Sequence, residues 1–199
     1  MTKNILLTGV GGQGTILASR LLTLGLQDNG YDVKMSEVHG MSQREGPVLT
    51  HVRYGKKVWS PVVSKKKGDI IIGFEELEVL RNLEYLRDDG EGVVILNRAR
   101  VNPIGVLSGK DVYPPNIQEL IEARAGRVIA LDATEEAEKL GNPRTMNIIL
   151  LGVALKPWAC TMKSTGTRLS RRTCASSLLK STKRRSNWVC PWFSLAVCI

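Results

Sequence analysis

The sequence predicts an α/β protein with an open, mostly parallel Rossmann-like sheet, helices on both faces and an antiparallel edge hairpin. Three features point there. Lys3–Thr8 is a short apolar run that enters a glycine cluster and continues into helical spacing. Further apolar runs of strand length, at 69–73, 93–96 and 127–131, alternate with helical segments, as in a parallel sheet built from βαβ units. Val48–Tyr54 instead alternates with a period of two, as a strand with two unlike faces does.

Taken in order, Lys3–Thr8 makes the first strand and the glycines after it a tight turn. Beyond Gly14 the apolar positions Ile16, Leu17, Leu21, Leu22, Leu24 and Leu26 fall mainly at helical intervals, and Asp28, Asn29 and Gly30 close the helix. Tyr31–Val38 alternates and gives the second strand, completing a βαβ opening. His39–Pro47 is polar, contains glycine and has no period, so it is a surface loop. Val48–Tyr54 is the next strand. Gly55, Lys56 and Lys57 lead from it into Val58 and Trp59, which predicts a hairpin at the sheet's edge. Asp69–Gly73 is a buried strand, and Phe74, Leu77, Leu80, Leu83 and Leu86 space one helix behind it. Val93–Leu96 is a strand, Pro114 and Pro115 break the chain before a short helix over 117–125, and Arg127–Leu131 is the last strand. Thr134 starts a helix that Gly141, Asn142 and Pro143 stop, and Asn147–Leu155 opens another.

Charge divides the chain in two. The 28 basic and 19 acidic residues give a net +9, yet up to residue 150 the two signs cancel, 19 against 19. Residues 151–199 hold the other nine basic side chains and no acid. All four cysteines (Cys160, Cys174, Cys190, Cys198) and three of the four tryptophans lie there too. The basic excess therefore describes a segment and not a folded domain. We expect a domain over 1–156 and a basic, cysteine-containing tail over 157–199 that is non-native or disordered. Read two bases later, codons for Pro157–Thr167 permit Met-Gly-Met-His-Asp-Glu-Val-Asp-Trp-Asp, which restores acids, so the tail is read as a shifted frame. The cysteines are separated by 13, 15 and 7 intervening residues with no close ligand pair, which argues against zinc. No stretch approaches the roughly 20 apolar residues of a membrane span. No secretory leader pattern opens the sequence. The expected location is the cytoplasm, with no membrane partner.

The candidate site is the glycine turn Gly9, Val10, Gly11, Gly12, Gln13, Gly14, followed by Thr15. It matches G-x-G-x-x-G between a strand and a helix, where side-chain-free backbone N–H groups and the helix dipole favour an anion. A structural reading, in which the glycines only allow tight packing, stands beside the ligand reading. Were the ligand NAD, Glu37 near the end of the second strand would hold the ribose. This keeps an NAD(P)-binding oxidoreductase as an alternative, although no second domain is present for a substrate. A second motif follows in the loop Glu37–Pro47, where Ser42 and Gln43 flank Arg44, whose guanidinium suits phosphate or carboxylate. A nucleic-acid binder, using the basic tail with Trp188, Trp192 and Phe193, is the less favoured third class.

Together, GVGGQG (Gly9–Gly14) and EVHGMSQREGPVLTHVRYG (Glu37–Gly55) resemble the gamma-type subunits of 2-oxoacid:ferredoxin oxidoreductases, and most closely the beta subunits of indolepyruvate ferredoxin oxidoreductases. The resemblance covers about residues 3–155, including Thr145, Met146 and Asn147. The family's usual Gln-Arg-Gly-Gly is altered here, since Glu45 follows Arg44. The resemblance implies a pyruvate/ketoisovalerate oxidoreductase gamma-like domain that is a non-catalytic subunit, inactive alone. The whole enzyme decarboxylates a 2-oxoacid, here indolepyruvate, to an acyl-CoA and passes electrons to ferredoxin. Thiamine diphosphate and iron-sulfur clusters are then expected on a larger partner subunit, with none tightly bound here. The residues agree, because clusters need grouped thiolates and residues 1–150 contain no cysteine. Gly9, Gly11, Gly12, Gln13, Gly14, Thr15, Ser42, Gln43 and Arg44 are the candidate coenzyme A contacts; no residue is assigned a catalytic or metal-ligating role.

Overall fold

A computed structural model describes residues 2–40 and 46–164. One compact unit ends at Leu151 and a second begins at Gly152. The strands are β1 (Lys3–Val10), β2 (Asp32–His39), β3 (Pro47–Gly55), β4 (Ile70–Gly73), β5 (Val93–Asn97) and β6 (Arg127–Leu131), in the order β2-β3-β1-β4-β5-β6. Parallel pairing joins β1, β4, β5 and β6, while β3 runs antiparallel to both β1 and β2. This is the mostly parallel α/β sheet that the sequence predicts.

The antiparallel hairpin lies at the sheet's edge, but it is formed differently from the expectation. Its strands are β2 and β3, and Val58–Trp59 is not a strand. The reason lies in β3, whose side chains are buried on both faces: Val48, Thr50, Val52 and Tyr54 on one, His51 on the other. Both faces of the sheet are covered at β3, and its interior position follows from pairing along eight residues with β1 and eight with β2. Hence β1 and β2, although parallel and joined by a helix, are separated by a strand. Val58 serves as a plug, only 3% exposed, with its N–H on Asp32 Oδ2 at 2.8 Å.

The helices are α1 (Thr15–Asp28), α2 (Glu76–Arg81), α3 (Ile104–Leu107), α4 (Ile117–Glu122), α5 (Ala133–Lys139) and α6 (Met146–Ser164). Helix α1 closes as predicted, with Gly30 at φ 80°. The single helix expected behind β4 is instead α2 followed by a 3₁₀ turn over Leu83–Tyr85. Asn82 ends α2, because its side-chain amide donates to Glu78 O and to Thr8 Oγ1, both at 2.9 Å, turning the chain back onto β1. Helix α3 was not foreseen. The expectation of a non-native or disordered tail falls mostly on residues 165–199, which lie outside the described residues.

Two faces of the sheet are covered. On one, Thr23 of α1 reaches Met35 of β2, whose register continues through Val52 to Ile5. On the other, Leu6, Ile71, Val94 and Leu96 pack with Leu77 and Val79 of α2 and Ile117 and Ile121 of α4. No helix among the described residues is long and apolar enough to cross a membrane.

The second face also holds His51, 3% exposed, whose Nδ1 accepts the Val63 N–H at 3.3 Å and whose ring meets Tyr85 edge-on. Burial lowers its pKa below the ordinary 6.5. Protonation therefore favours the unfolded chain, and this contribution is lost as pH falls through the unfolded value. Urea unfolding should show stability declining between roughly pH 7 and pH 5, and His51→Gln, which keeps an acceptor for Val63, should flatten that decline.

Candidate functional site

The carboxyl ends of β1, β4, β5 and β6 form one edge of the sheet, where α/β proteins of this kind place their ligands. The glycine turn stands at its β1 end. Gly12 and Gly14 have φ of 99° and 82°, the left-handed region in which a side chain is strained. Gly12 is exposed with open space around it. A Cβ on Gly14 would stand 2.5 Å from Asn147 Nδ2, which itself donates to Gly14 O at 3.4 Å. This links the first glycine motif to the Thr145–Asn147 segment that the resemblance includes. Thr15, 3% exposed, opens α1.

Gln13 spends both ends of its amide within the protein. Its Oε1 accepts the Val10 N–H at 2.8 Å, and its Nε2 donates to Phe74 O at 3.3 Å. Gly9 lies beneath it, since a Cβ there would meet Gln13 Oε1 and Phe74 Cβ, each at 2.7 Å. Gly11 donates its N–H to Gly46 O at 2.9 Å, and Gly40 donates to Pro47 O at 3.1 Å. The two residues that flank segment 41–45 are thus brought beside the turn. Ser42, Gln43 and Arg44 lie outside the described residues.

Glu37, the ribose-binding candidate of the NAD reading, sits on β2, one strand removed from β1. The dinucleotide arrangement has these strands adjacent, and at about 4.8 Å per strand spacing the acid is set back from the turn. Its Oε2 is 3.6 Å from His39 Nε2, and its Oε1 is buried without a partner among the described residues.

The sequence did not single out the groups that organise the rest of this edge. Asn97, fully buried at the end of β5, donates to Phe74 O and Thr134 Oγ1, both at 3.1 Å, and accepts the Ala133 N–H at 2.9 Å, which ties β4, β5 and the start of α5 together. Glu75 and Glu76 are each 1% exposed. Glu75 Oε2 caps α2 by accepting the Glu78 N–H at 2.8 Å, while its Oε1 accepts Val101 N–H at 3.2 Å and Tyr113 O–H at 2.7 Å. Glu76 accepts from Arg100 Nε and Gln118 Nε2, both at 2.8 Å. Burial pushes the Glu78 carboxyl up, against the opposing pull of Arg81 at 2.6 Å. Burial and then the bond to Glu75 push the Tyr113 hydroxyl up. The available signal was position: three acids directly after one strand and an Asn closing the next. Beside them a cleft of about 370 Å³ is lined by Asn97, Arg98, Arg100, Asp132 and Thr134 with Glu135 and Glu138.

Chemically, the turn offers exposed backbone at a helix start for an anion, and the edge behind it is held by side-chain hydrogen bonds. Among the described residues no group of three or more His, Cys, Asp or Glu side chains could hold a metal ion.

The sequence model described as "Pyruvate ferredoxin/flavodoxin oxidoreductase" matches residues 4–186. Indolepyruvate oxidoreductase subunit IorB of Pyrococcus horikoshii is 40% identical over 152 residues, 75% of this chain and 74% of that protein. The subunit of the same name from Methanothermobacter thermautotrophicus is 36% identical over 156 residues, 77% of this chain and 78% of that one. Among solved structures, pyruvate oxidoreductase subunit PORC of Thermotoga maritima shares the fold with a TM-score of 0.55 at 20% identity, over 78% of this chain and 75% of that one. A chain of 2-oxoglutarate:ferredoxin oxidoreductase from Magnetococcus marinus, solved with 2-oxoglutarate, coenzyme A and succinyl-CoA, gives 0.64 at 16% identity, over 99% of this chain and 30% of that one.

Gln13→Ala should lower stability by about 1–3 kcal/mol, because Val10 N–H loses its partner in a half-buried turn. Gln13→Glu should cost more, since it sets a carboxylate against Phe74 O. Chemical denaturation of the two variants checks both.

Proposed function

This chain belongs to the pyruvate ferredoxin/flavodoxin oxidoreductase family, and we propose that it is the small, non-catalytic subunit of an indolepyruvate:ferredoxin oxidoreductase. The enzyme decarboxylates the oxoacid to an acyl-CoA and passes the electrons to ferredoxin. The observation that carries this reading is the identity of 36–40% to IorB subunits over three quarters of the chain. The composition supports the non-catalytic role, since no cysteine precedes Cys160 and cluster chemistry needs grouped thiolates. Thiamine diphosphate, which supplies the electron sink for decarboxylation, and the clusters then reside on a larger subunit.

For coenzyme A, the residues of this chain that fit are those with backbone still open toward solvent. Gly12 presents it just before the start of α1, whereas Val10, Gly11 and Gln13 already spend backbone N–H groups within the protein and Gly14 is covered by Asn147. Gly9 and Gln13 shape the turn; Ser42, Gln43 and Arg44, outside the described residues, are retained as contacts for the chemistry of their side chains alone. The location is the cytoplasm. The position of Glu37 weighs against the NAD reading, since a strand separates it from the turn.

Co-expression of the chain with a thiamine- and cluster-bearing subunit should give a complex that reduces ferredoxin only when indolepyruvate and coenzyme A are present. The chain alone should be inactive; turnover by the isolated chain, or its tight binding of NAD, defeats the reading.

Residues 157–199 we read as the product of a shifted reading frame, supported by their content of all four cysteines and eight basic residues with no acid. Sequencing the gene and weighing the intact natural protein should reveal an acidic continuation; a gene that encodes these residues unshifted refutes it.

A further inference from the structure

Away from the carboxyl edge, at the amino ends of β1 and β4, the loop from Gly55 to Gly68 presents a surface that neither the core nor the proposed site uses. It carries five exposed lysines, Lys56, Lys57, Lys65, Lys66 and Lys67, and no acid. Between them stands Trp59, 84% exposed, with Val62 at 53% beside it in sequence. Among the described residues Lys65 and Lys66 meet Glu84 and Asp88, while Lys56, Lys57 and Lys67 form no ion pair.

This loop is built to hold the indole in place. Val58 and Val63, on either side of Trp59, are buried at 3% and 1% exposure. Arg53 Nη1 donates to Ser60 O at 3.0 Å and to Val62 O at 3.2 Å, Val58 N–H donates to Asp32 Oδ2, and Val63 N–H to His51 Nδ1. Lys57 Nζ lies 4.4 Å from the centre of the indole ring. A large aromatic side chain on a fixed backbone loses little freedom on association, and such residues carry much of the binding energy at interfaces. Packing among the described residues gives no reason for a fastened tryptophan in solvent.

We propose that this loop docks the larger subunit of the same enzyme, against a face with acidic side chains around an apolar pocket for the Trp59 indole. The proposal rests on the subunit reading above. Charge complementarity specifies the occupant's chemistry: a cationic rim, three of whose five lysines form no ion pair among the described residues, around one apolar anchor fits an acidic rim around one apolar recess. In the Magnetococcus marinus chain, moreover, a similar fold is covalently joined to a remainder more than twice its length, so there the fold is tethered to further protein.

The test uses the full chain and the larger subunit, with the dissociation constant measured by calorimetry at low and at raised salt. Trp59→Ala should weaken association about tenfold or more, the loss expected of a central aromatic anchor. Lys56→Glu with Lys57→Glu should weaken it comparably and flatten its salt dependence. Leu107→Ala, an exposed apolar side chain on α3, should leave it within about twofold. Unfolding midpoints should stay unchanged, since Trp59 is 84% exposed and contributes little to the core. Full-strength, salt-sensitive assembly by both loop variants overturns the docking surface, as does loss of assembly in Leu107→Ala alone. Self-association through Trp59, or lysine-dependent binding to DNA of unrelated sequence in place of the subunit, overturns it too. If the unaltered chain does not assemble, the subunit reading itself fails and this surface with it.

Discussion

The carbonyl of Phe74 is the point on which the carboxyl edge of the sheet depends. It follows the last residue of β4 and receives two side-chain amides, from Gln13 after β1 and from Asn97 at the end of β5. Where parallel strands end, the ladder of backbone bonds ends too, and polar groups there need other partners. Amide side chains supply them. Asn97 extends the link to Ala133 and Thr134, so the ends of four strands and the starts of two helices are held in one frame.

Buried carboxylates complete that frame. Glu75 and Glu76 lie in almost solvent-free positions, where an unpartnered charge is costly, and each of their oxygens accepts a hydrogen bond. Through them the segment after β5 is fastened at Arg100, Val101 and Tyr113. These acids act on backbone and neighbouring side chains, so their role is to set the shape of the edge. The glycine turn set in such a frame has its backbone already ordered, with Gly12 exposed.

The two ends of the sheet are therefore constructed differently. At the carboxyl end, polar groups turn inward and leave backbone at the surface. At the amino end, the loop after β3 places its polar anchors inward as well, yet turns an indole and lysines outward. The first 150 residues contain no thiol, so neither end carries grouped cysteines within that span.

The sequence by itself determined the alternation of strands and helices, the glycine turn at the start of α1 and the family membership, because these depend on local spacing and on two contiguous motifs. It also showed that the basic charge belongs to the tail. Only the tertiary structure decided that β3 lies between β1 and β2, since a seven-residue alternation is compatible with an edge or an interior position and backbone pairing with both neighbours settles it. Likewise, nothing local distinguishes Gln13 as a ligand contact from Gln13 as a brace; its partner Phe74 is 61 residues away. Asn97, Glu75 and Glu76 went unseen for the same reason: hydrogen bonds across the ends of separate strands leave no period in the sequence.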